Sequence, residues 1–428
     1  MKLKVSSVTS GGIPLAKRTE HRPSCRTYAL LFTLLLGVAL ATTSSAQAQT
    51  FTSLYSFQGP PDGMYPDSPL LDLNGNLYGT TYSGGKYLSW LYGTIFELSS
   101  AGQESVLYNF TGGAFGAYPY GGLTDVGGSL YGTTLGGGSN NCFAENCGTV
   151  FADGKIVYTF PSLPNGAFPQ GGLILDAEGN FYGTTGSGGD LTCQAGDRPG
   201  CGVVFKLDTS SKETVLHTFH GGADGAVPVG GLIWDNKGAL YGATQQGGWS
   251  GDPYCYAPPS FYGCGVVFKL DAAGRETVLH SFTGGATDGA YPSPGTLVLD
   301  ARGNLYGATG GGGKYNLGTV FEVDKTGKET VLHSFGGKVD GVGPYAGLVR
   351  DAAGNLYGVT AVGGASNFGT VFKLTKRGKE TILHNFAGPD GEYPAAGLLM
   401  DAAGDLYGTT SAGGTSYYGY GTIFKIVP

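Results

Sequence analysis

Tyrosine followed by glycine recurs within one longer repeated pattern at Tyr78, Tyr131, Tyr182, Tyr241, Tyr306, Tyr357 and Tyr407, at intervals of 53, 51, 59, 65, 51 and 50 residues. Each tyrosine sits in the same frame. An aspartate stands six residues before it and a glycine three before; a threonine stands three after, and a pair of glycines begins six after, in all seven copies. A period of this size means an array of one supersecondary unit, because a short unit cannot bury its own apolar face and must stack on its neighbours. Each unit supplies four runs of strand character, here called a, b, c and d: Gly-Gly-Leu-Ile-Leu (171–175), Asn-Leu-Tyr-Gly (304–307), Gly-Thr-Val-Phe-Lys-Leu (369–374) and Glu-Thr-Val-Leu-His-Ser-Phe (329–335) are examples. Asp-x-x-Gly between a and b reads as a hairpin turn, with the aspartate side chain capping it and the glycine taking a positive φ. The same signal recurs between c and d, as at 324–328.

Composition narrows the choice further. With 80 glycines and 21 prolines in 428 residues, long helices are excluded, while 27 Tyr, 22 Phe and 41% hydrophobic content argue against disorder. The chain is therefore all-β, and four-stranded antiparallel units repeated seven times predict a seven-bladed β-propeller. A sandwich or solenoid of the same units stays open, because a repeat count does not prove closure. The ends bear on that point. Residues 51–57 form a lone d run and 421–426 a final c run, so pairing them completes the last blade with the N-terminal strand and hides both open edges. Pro428 follows at once, from which no C-terminal anchor is expected.

Residues 1–48 carry Lys2, Lys4, Lys17, Arg18, Arg22 and Arg26, then an apolar run over 28–41 and small residues at Ala46 and Ala48. This reads as a signal peptide, since the run falls short of the roughly 20 residues that span a bilayer. Cys25 precedes the run, which disfavours a lipoprotein. Cleavage after Ala48 leaves a single seven-repeat domain, 49–428, with no membrane span, secreted to the extracellular space or the periplasm. Cleavage removes six basic residues and one acid, leaving 19 basic against 31 acidic and a net charge of −12, which excludes nucleic acid as a partner. Six cysteines remain in close pairs: Cys142 with Cys147, Cys193 with Cys201, and Cys255 with Cys264. Local disulfides are expected in an oxidising compartment. Zinc is the competing reading, weakened by loops that lack histidine and by the need for two pairs to converge.

The pattern Gly-Gly-Leu, Asp-x-x-Gly-Asn-Leu-Tyr-Gly-Thr-Thr, Gly-Thr-Val-Phe-Lys-Leu and Glu-Thr-Val-Leu-His-Ser-Phe resembles the GloVer tandem repeat of bacterial surface and secreted proteins, over about 51–427. That resemblance implies an exported, propeller-like repeat protein and carries no activity. The family is known for varied C-terminal anchors, so their absence here suggests release. The turn motif is also similar to those of NHL-repeat, virginiamycin B lyase and gluconolactonase propellers.

Function is sought where the repeats differ. From the recurring tyrosine to the phenylalanine of strand c is 18, 20, 23 and 27 residues in the first four repeats and 15, 15 and 17 in the last three, whereas the d–a connection is nearly constant. Variable loops on a constant scaffold are where binding usually resides. These b–c loops hold Trp90, Tyr92, Trp249 and Tyr254, whose flat faces suit sugar rings, and Asp197 and Asp252, which can accept hydroxyl hydrogen bonds. Packing of the loops is the plainer role for the same aromatics. His217, His280, His333 and His384 share one strand-d position with Tyr55, Tyr108 and Tyr158, which argues for packing rather than catalysis. Of the residues outside the repeat pattern, His220, Asp197, Arg198 and Asp252 carry reactive groups, and nothing in the sequence joins them. No catalytic or metal-binding residue is assigned and no cofactor is expected, although the Asp-Gly-x-Tyr-Pro loops at 62–66, 288–292 and 390–394 leave room for a structural cation in a ring around the channel. Two classes of function remain open: a monomeric, non-enzymatic binding propeller for extracellular polysaccharide or protein, and a propeller enzyme of the lyase, lactonase or glycosidase kind.

Overall fold

The computed structural model of the protein describes residues 49–86, 92–142, 146–195, 198–248, 255 and 263–428. Seven antiparallel sheets in the order a-b-c-d form the blades of a β-propeller. Blade four is representative: strand a is Ala226–Trp234, b Leu240–Gln246, c Val266–Leu270 and d Glu276–Ser281. In blade seven, a, b and c are Leu399–Met400, Leu406–Thr410 and Thr422–Val427, and the fourth strand is Thr50–Ser56 from the other end of the repeat array. The two pair from Thr50↔Val427 to Ser56↔Thr422, as the split repeat requires. No helix among the described residues is long and apolar enough to cross a membrane.

The recurring residues each have a physical task. In the a–b turns the aspartate carboxylate accepts from backbone, as Gly75 N–H donates to Asp72 Oδ1 at 2.8 Å, and the turn glycine takes φ +85°. In five blades the tyrosine hydroxyl returns to the same aspartate, at 2.9 Å for Tyr182 and Asp176 and 3.0 Å for Tyr357 and Asp351, while Tyr78 donates to Glu97. The glycine after each tyrosine makes room for the strand-c phenylalanine: a Cβ on Gly183 would lie 2.8 Å from Phe205, and one on Gly132 would lie 2.5 Å from Phe151. Three residues after the tyrosine, the threonine is buried, and in five blades it shares a hydrogen bond with the first threonine of strand c, at 2.8 Å for Thr81 with Thr94.

The core lies between blades. The phenylalanine after strand d of one blade meets the strand-c phenylalanine of the next edge to face, with centroids 5.0 to 5.3 Å apart. Seven such pairs run around the ring, and Phe386–Phe424 and Phe57–Phe96 carry it across the split blade. Aromatic pairs in this geometry contribute beyond the area they bury. At the axis the Gly-Gly of strand a lets neighbouring blades touch backbone to backbone; a Cβ on Gly171 would lie 2.2 Å from the Gly230 carbonyl oxygen.

Candidate functional site

The b–c and d–a loops share one face of the ring, because the d–a loop pairs with the end of strand b, as in Gly63↔Gly84 and Ala167↔Ser187. The fourth residue of Asp-Gly-x-Tyr-Pro adopts a left-handed conformation in blade after blade, with φ +58° at Tyr65, +61° at Phe168 and +56° at Val227. This orientation has a use. Its N–H donates to the last residue of the preceding blade's b–c loop, at 3.0 Å from Phe168 to Cys147, 2.9 Å from Val227 to Cys201 and 2.8 Å from Tyr291 to Cys264. The acceptors in these three blades are the second cysteines of the disulfides Cys142–Cys147, Cys193–Cys201 and Cys255–Cys264, which are paired within their loops as expected. Each bond therefore ties the enlarged loop down where it touches the next blade.

Tyr92 occupies the same acceptor position, taking the Tyr118 N–H at 2.8 Å, and its ring lies over Gly112. The structure thus gives Tyr92 a place in the inter-blade contact. Of the other sequence-predicted ligand residues, Trp90, Asp197, Trp249, Asp252 and Tyr254 lie outside the described residues. His220 Nδ1 sits 2.8 Å from Asp190 Oδ2, and hydrogen bonding from His220 holds the Asp190 carboxyl down to about 2. Arg198 stacks on the Phe168 ring, 3.8 Å from its centroid.

Strand a of every blade lines a central channel that encloses a cavity of about 500 Å³. Its walls are largely apolar, including Leu173, Leu232, Trp234 and Leu348. The residue after the recurring proline differs from blade to blade: Asp67, Tyr120, Gln170, Val229, Ser293, Tyr345 and Ala395, of which Asp67, Tyr120, Gln170 and Ala395 line the cavity. Asp67 hydrogen-bonds Ser411, and burial pushes its carboxyl up to about 6. Burial, with the charges of Asp67, Tyr82 and Tyr345, pushes the Tyr120 hydroxyl up to about 12. Tyr82 extends this cluster outward, stacked on Tyr118 at 5.0 Å and edge-on to Tyr120 at 6.5 Å. No sequence period marks this site, because its signal is the failure of the repeat at one position.

The aspartates of the Asp-Gly loops do not line the channel. They stand at the blade junctions, against strand d of their own blade and the first residue of strand d in the next. Asp62 accepts from the Tyr55 hydroxyl at 2.9 Å, and Asp390 lies 2.8 Å from His384 Nε2. Tyr55 thus meets the carboxylate that His384 meets elsewhere, while Tyr158 donates to Glu213, and both ring types pack edge-on against the following phenylalanine, as in His217–Phe219 and Tyr55–Phe57. Burial lowers the pKa of His217 and His333. Burial and then the neighbouring aspartate push Glu276, Glu329 and Glu380 up to about 8.

No curated protein matches the chain. Among solved structures, a gluconolactonase of Xanthomonas campestris is similar at 12% identity, covering 88% of this chain and 89% of its own, with a TM-score of 0.42. The extracellular domain of a one-component system protein from B. thetaiotaomicron is similar at 12% identity, covering 87% of this chain and 39% of its own, with a TM-score of 0.49. A protein of unknown function from Dyadobacter fermentans is similar at 10% identity, covering 88% of this chain and 96% of its own, with a TM-score of 0.44. No chemistry is carried over from these. The model of the Gloeobacter/Verrucomicrobia repeat matches residues 37–191, 92–261 and 257–428. With its repeat pattern matched over most of its length, the chain belongs to the Gloeobacter/Verrucomicrobia repeat family.

Proposed function

We propose that this chain is an exported, non-enzymatic binding propeller that takes polysaccharide at the mouth of its channel on the loop face. The observation that carries this reading is the mouth itself. A sevenfold scaffold is broken there by Tyr120, flanked by Tyr82, beside the hydrogen-bonding groups of Asp67 and Gln170. Flat aromatic faces beside fixed polar groups suit a pyranose, which offers an apolar ring face and a rim of hydroxyls. Three disulfides fit an oxidising destination. The loop residues Trp90 and Trp249 belong to the same proposal, as an outer part of the binding surface.

Asp67 favours a second reading. A carboxyl held near 6 suits a general acid, so a lyase, lactonase or glycosidase is the alternative. Glycoside hydrolysis usually needs two carboxyl groups, and Asp67 is the one carboxyl among the described residues lining the channel. Retention of the purified chain on a panel of polysaccharides, with product analysis of the same samples, separates the readings. We expect retention without cleavage, and Tyr120→Ala to weaken it by about 1–3 kcal/mol, as for a binding hot spot. Trp90→Ala and Trp249→Ala test the outer surface in the same assay. Retention on no polysaccharide, or retention untouched by Tyr120→Ala, Trp90→Ala and Trp249→Ala alike, sinks the proposal; released products would favour the enzyme.

A further inference from the structure

We propose that three blade junctions, three–four, four–five and five–six, each bind a divalent transition-metal ion of the Zn²⁺ type through one imidazole and two carboxylates. The ligands would be the strand-d histidine, the aspartate of the following loop and the glutamate that opens strand d of the next blade. His217, Asp224 and Glu276 bring their ligand atoms within 4.8 Å of one another, and so do His280, Asp288 and Glu329, and His333, Asp340 and Glu380.

The spacing fits an ion better than direct contact. His217 Nε2 lies 3.9 Å from Asp224 Oδ2 and 3.6 Å from Glu276 Oε2, and His333 Nε2 lies 3.4 Å from Asp340 and 3.6 Å from Glu380. Two ligands each about 2.0 Å from a tetrahedral ion stand roughly 3.3 Å apart. At the three–four and five–six junctions the imidazole and the glutamate also lack other partners, whereas His280 Nε2 meets Asp288 Oδ1 at 3.2 Å. His217 Nε2, His333 Nε2, Glu276 Oε1 and Glu380 Oε1 are buried without a hydrogen bond, and the Glu276 side chain is only 10% exposed. Each aspartate accepts a backbone N–H, from His220, Thr283 or Gly336, which leaves the buried glutamate facing it as the carboxylate short of a donor, a costly state unless a proton or a cation resolves it. The mixed nitrogen and oxygen set selects a borderline ion over Ca²⁺ or Mg²⁺, which favour oxygen ligands alone.

The remaining junctions act as a substitution series within one chain. Between blades six and seven the glutamate is replaced by Phe51, and there His384 closes to 2.8 Å on Asp390 and stacks on the Phe51 ring at 3.7 Å. Between blades two and three the histidine and aspartate are Tyr158 and Asn165, and both donate to Glu213 Oε2, at 2.6 and 3.0 Å. Between blades one and two the three places hold Tyr108, Phe115 and Gly154, so no carboxylate remains, and a Cβ on Gly154 would lie 2.2 Å from the Tyr108 ring. At the seven–one junction Tyr55 donates to Asp62, and there, as at two–three, one glutamate oxygen, Glu104 Oε1 or Glu213 Oε1, stays buried without a partner; what is lost with the full set is the unpartnered imidazole. At the three–four and five–six junctions the histidine and glutamate stay apart.

The test is calorimetric titration of Zn²⁺ into the purified chain after chelator treatment, with Ca²⁺ as comparator and a thermal melt of each sample. We expect three equivalents of Zn²⁺, a higher melting temperature with Zn²⁺ than without, and no comparable effect of Ca²⁺. Glu276→Gln removes one ligand at nearly constant shape. Glu276→Phe copies the arrangement at Phe51, a packing this fold already holds. Both should bind two equivalents. Failure of the unsubstituted chain to bind Zn²⁺ above the Ca²⁺ level, or retention of three equivalents in both variants, would overturn the proposal.

Discussion

Asp67 shows how one side chain can escape a sevenfold pattern and acquire properties of its own. Its equivalents are Tyr120, Gln170, Val229, Ser293, Tyr345 and Ala395, so no neighbouring blade offers it a matching charge. Burial raises its pKa from 3.8 to about 6, which means that folding favours the protonated form. The linkage follows in sign: the stability due to the neutral acid is fully present below the unfolded value and is lost as pH rises through about 6. Asp67→Asn, neutral at every pH, should therefore gain stability relative to the unsubstituted protein between pH 4 and pH 7. Parallel thermal melts across that range measure the difference, and a constant offset would show that Asp67 is solvated in the folded state.

The loops and strands differ in what holds them. Strands are fixed between blades by the phenylalanine pairs, whereas the enlarged b–c loops are fixed by a disulfide placed beside an inter-blade backbone bond, as at Cys147 and Phe168. Their cysteines are only 5, 8 and 9 positions apart, so each bond constrains a short loop. Replacing both cysteines of one pair by serine should cost about 2–3 kcal/mol, the low end of the usual range, and leave one cooperative transition. Denaturant unfolding checks this, and a split transition would mean that the bond holds the ring as well as the loop. Strands, turns and local disulfides were legible because their signals lie within one repeat: Asp176, Gly179 and Tyr182 are neighbours in sequence and in space. The junction clusters were not, since Glu276 reaches His217 only after one blade is stacked on another, and the exchange of histidine for tyrosine looks like packing until Asp62 and Asp390 are seen beside the rings. The channel mouth was missed for a related reason: a residue such as Tyr120 is unremarked until the axis gathers its equivalents.

The whole arrangement depends on closure. The channel, its mouth and the last junction exist only if the strand at 50–56 completes the blade begun at 399. Open, the same repeats would expose the edge of strand c in blade seven and strip Phe51 of its contacts with His384, Phe386 and Phe424. Closure also couples the two ends of the array, which ties stability to contacts of very large sequence separation. The most direct measurement is an engineered disulfide between Thr50→Cys and Val427→Cys, residues opposite one another in the closing pair. Closure requires that the bond form within single molecules of the folded protein and raise the melting temperature above that of the reduced variant. Thiols that stay free in the folded state under oxidising conditions, or bonds that form only between molecules, would contradict it.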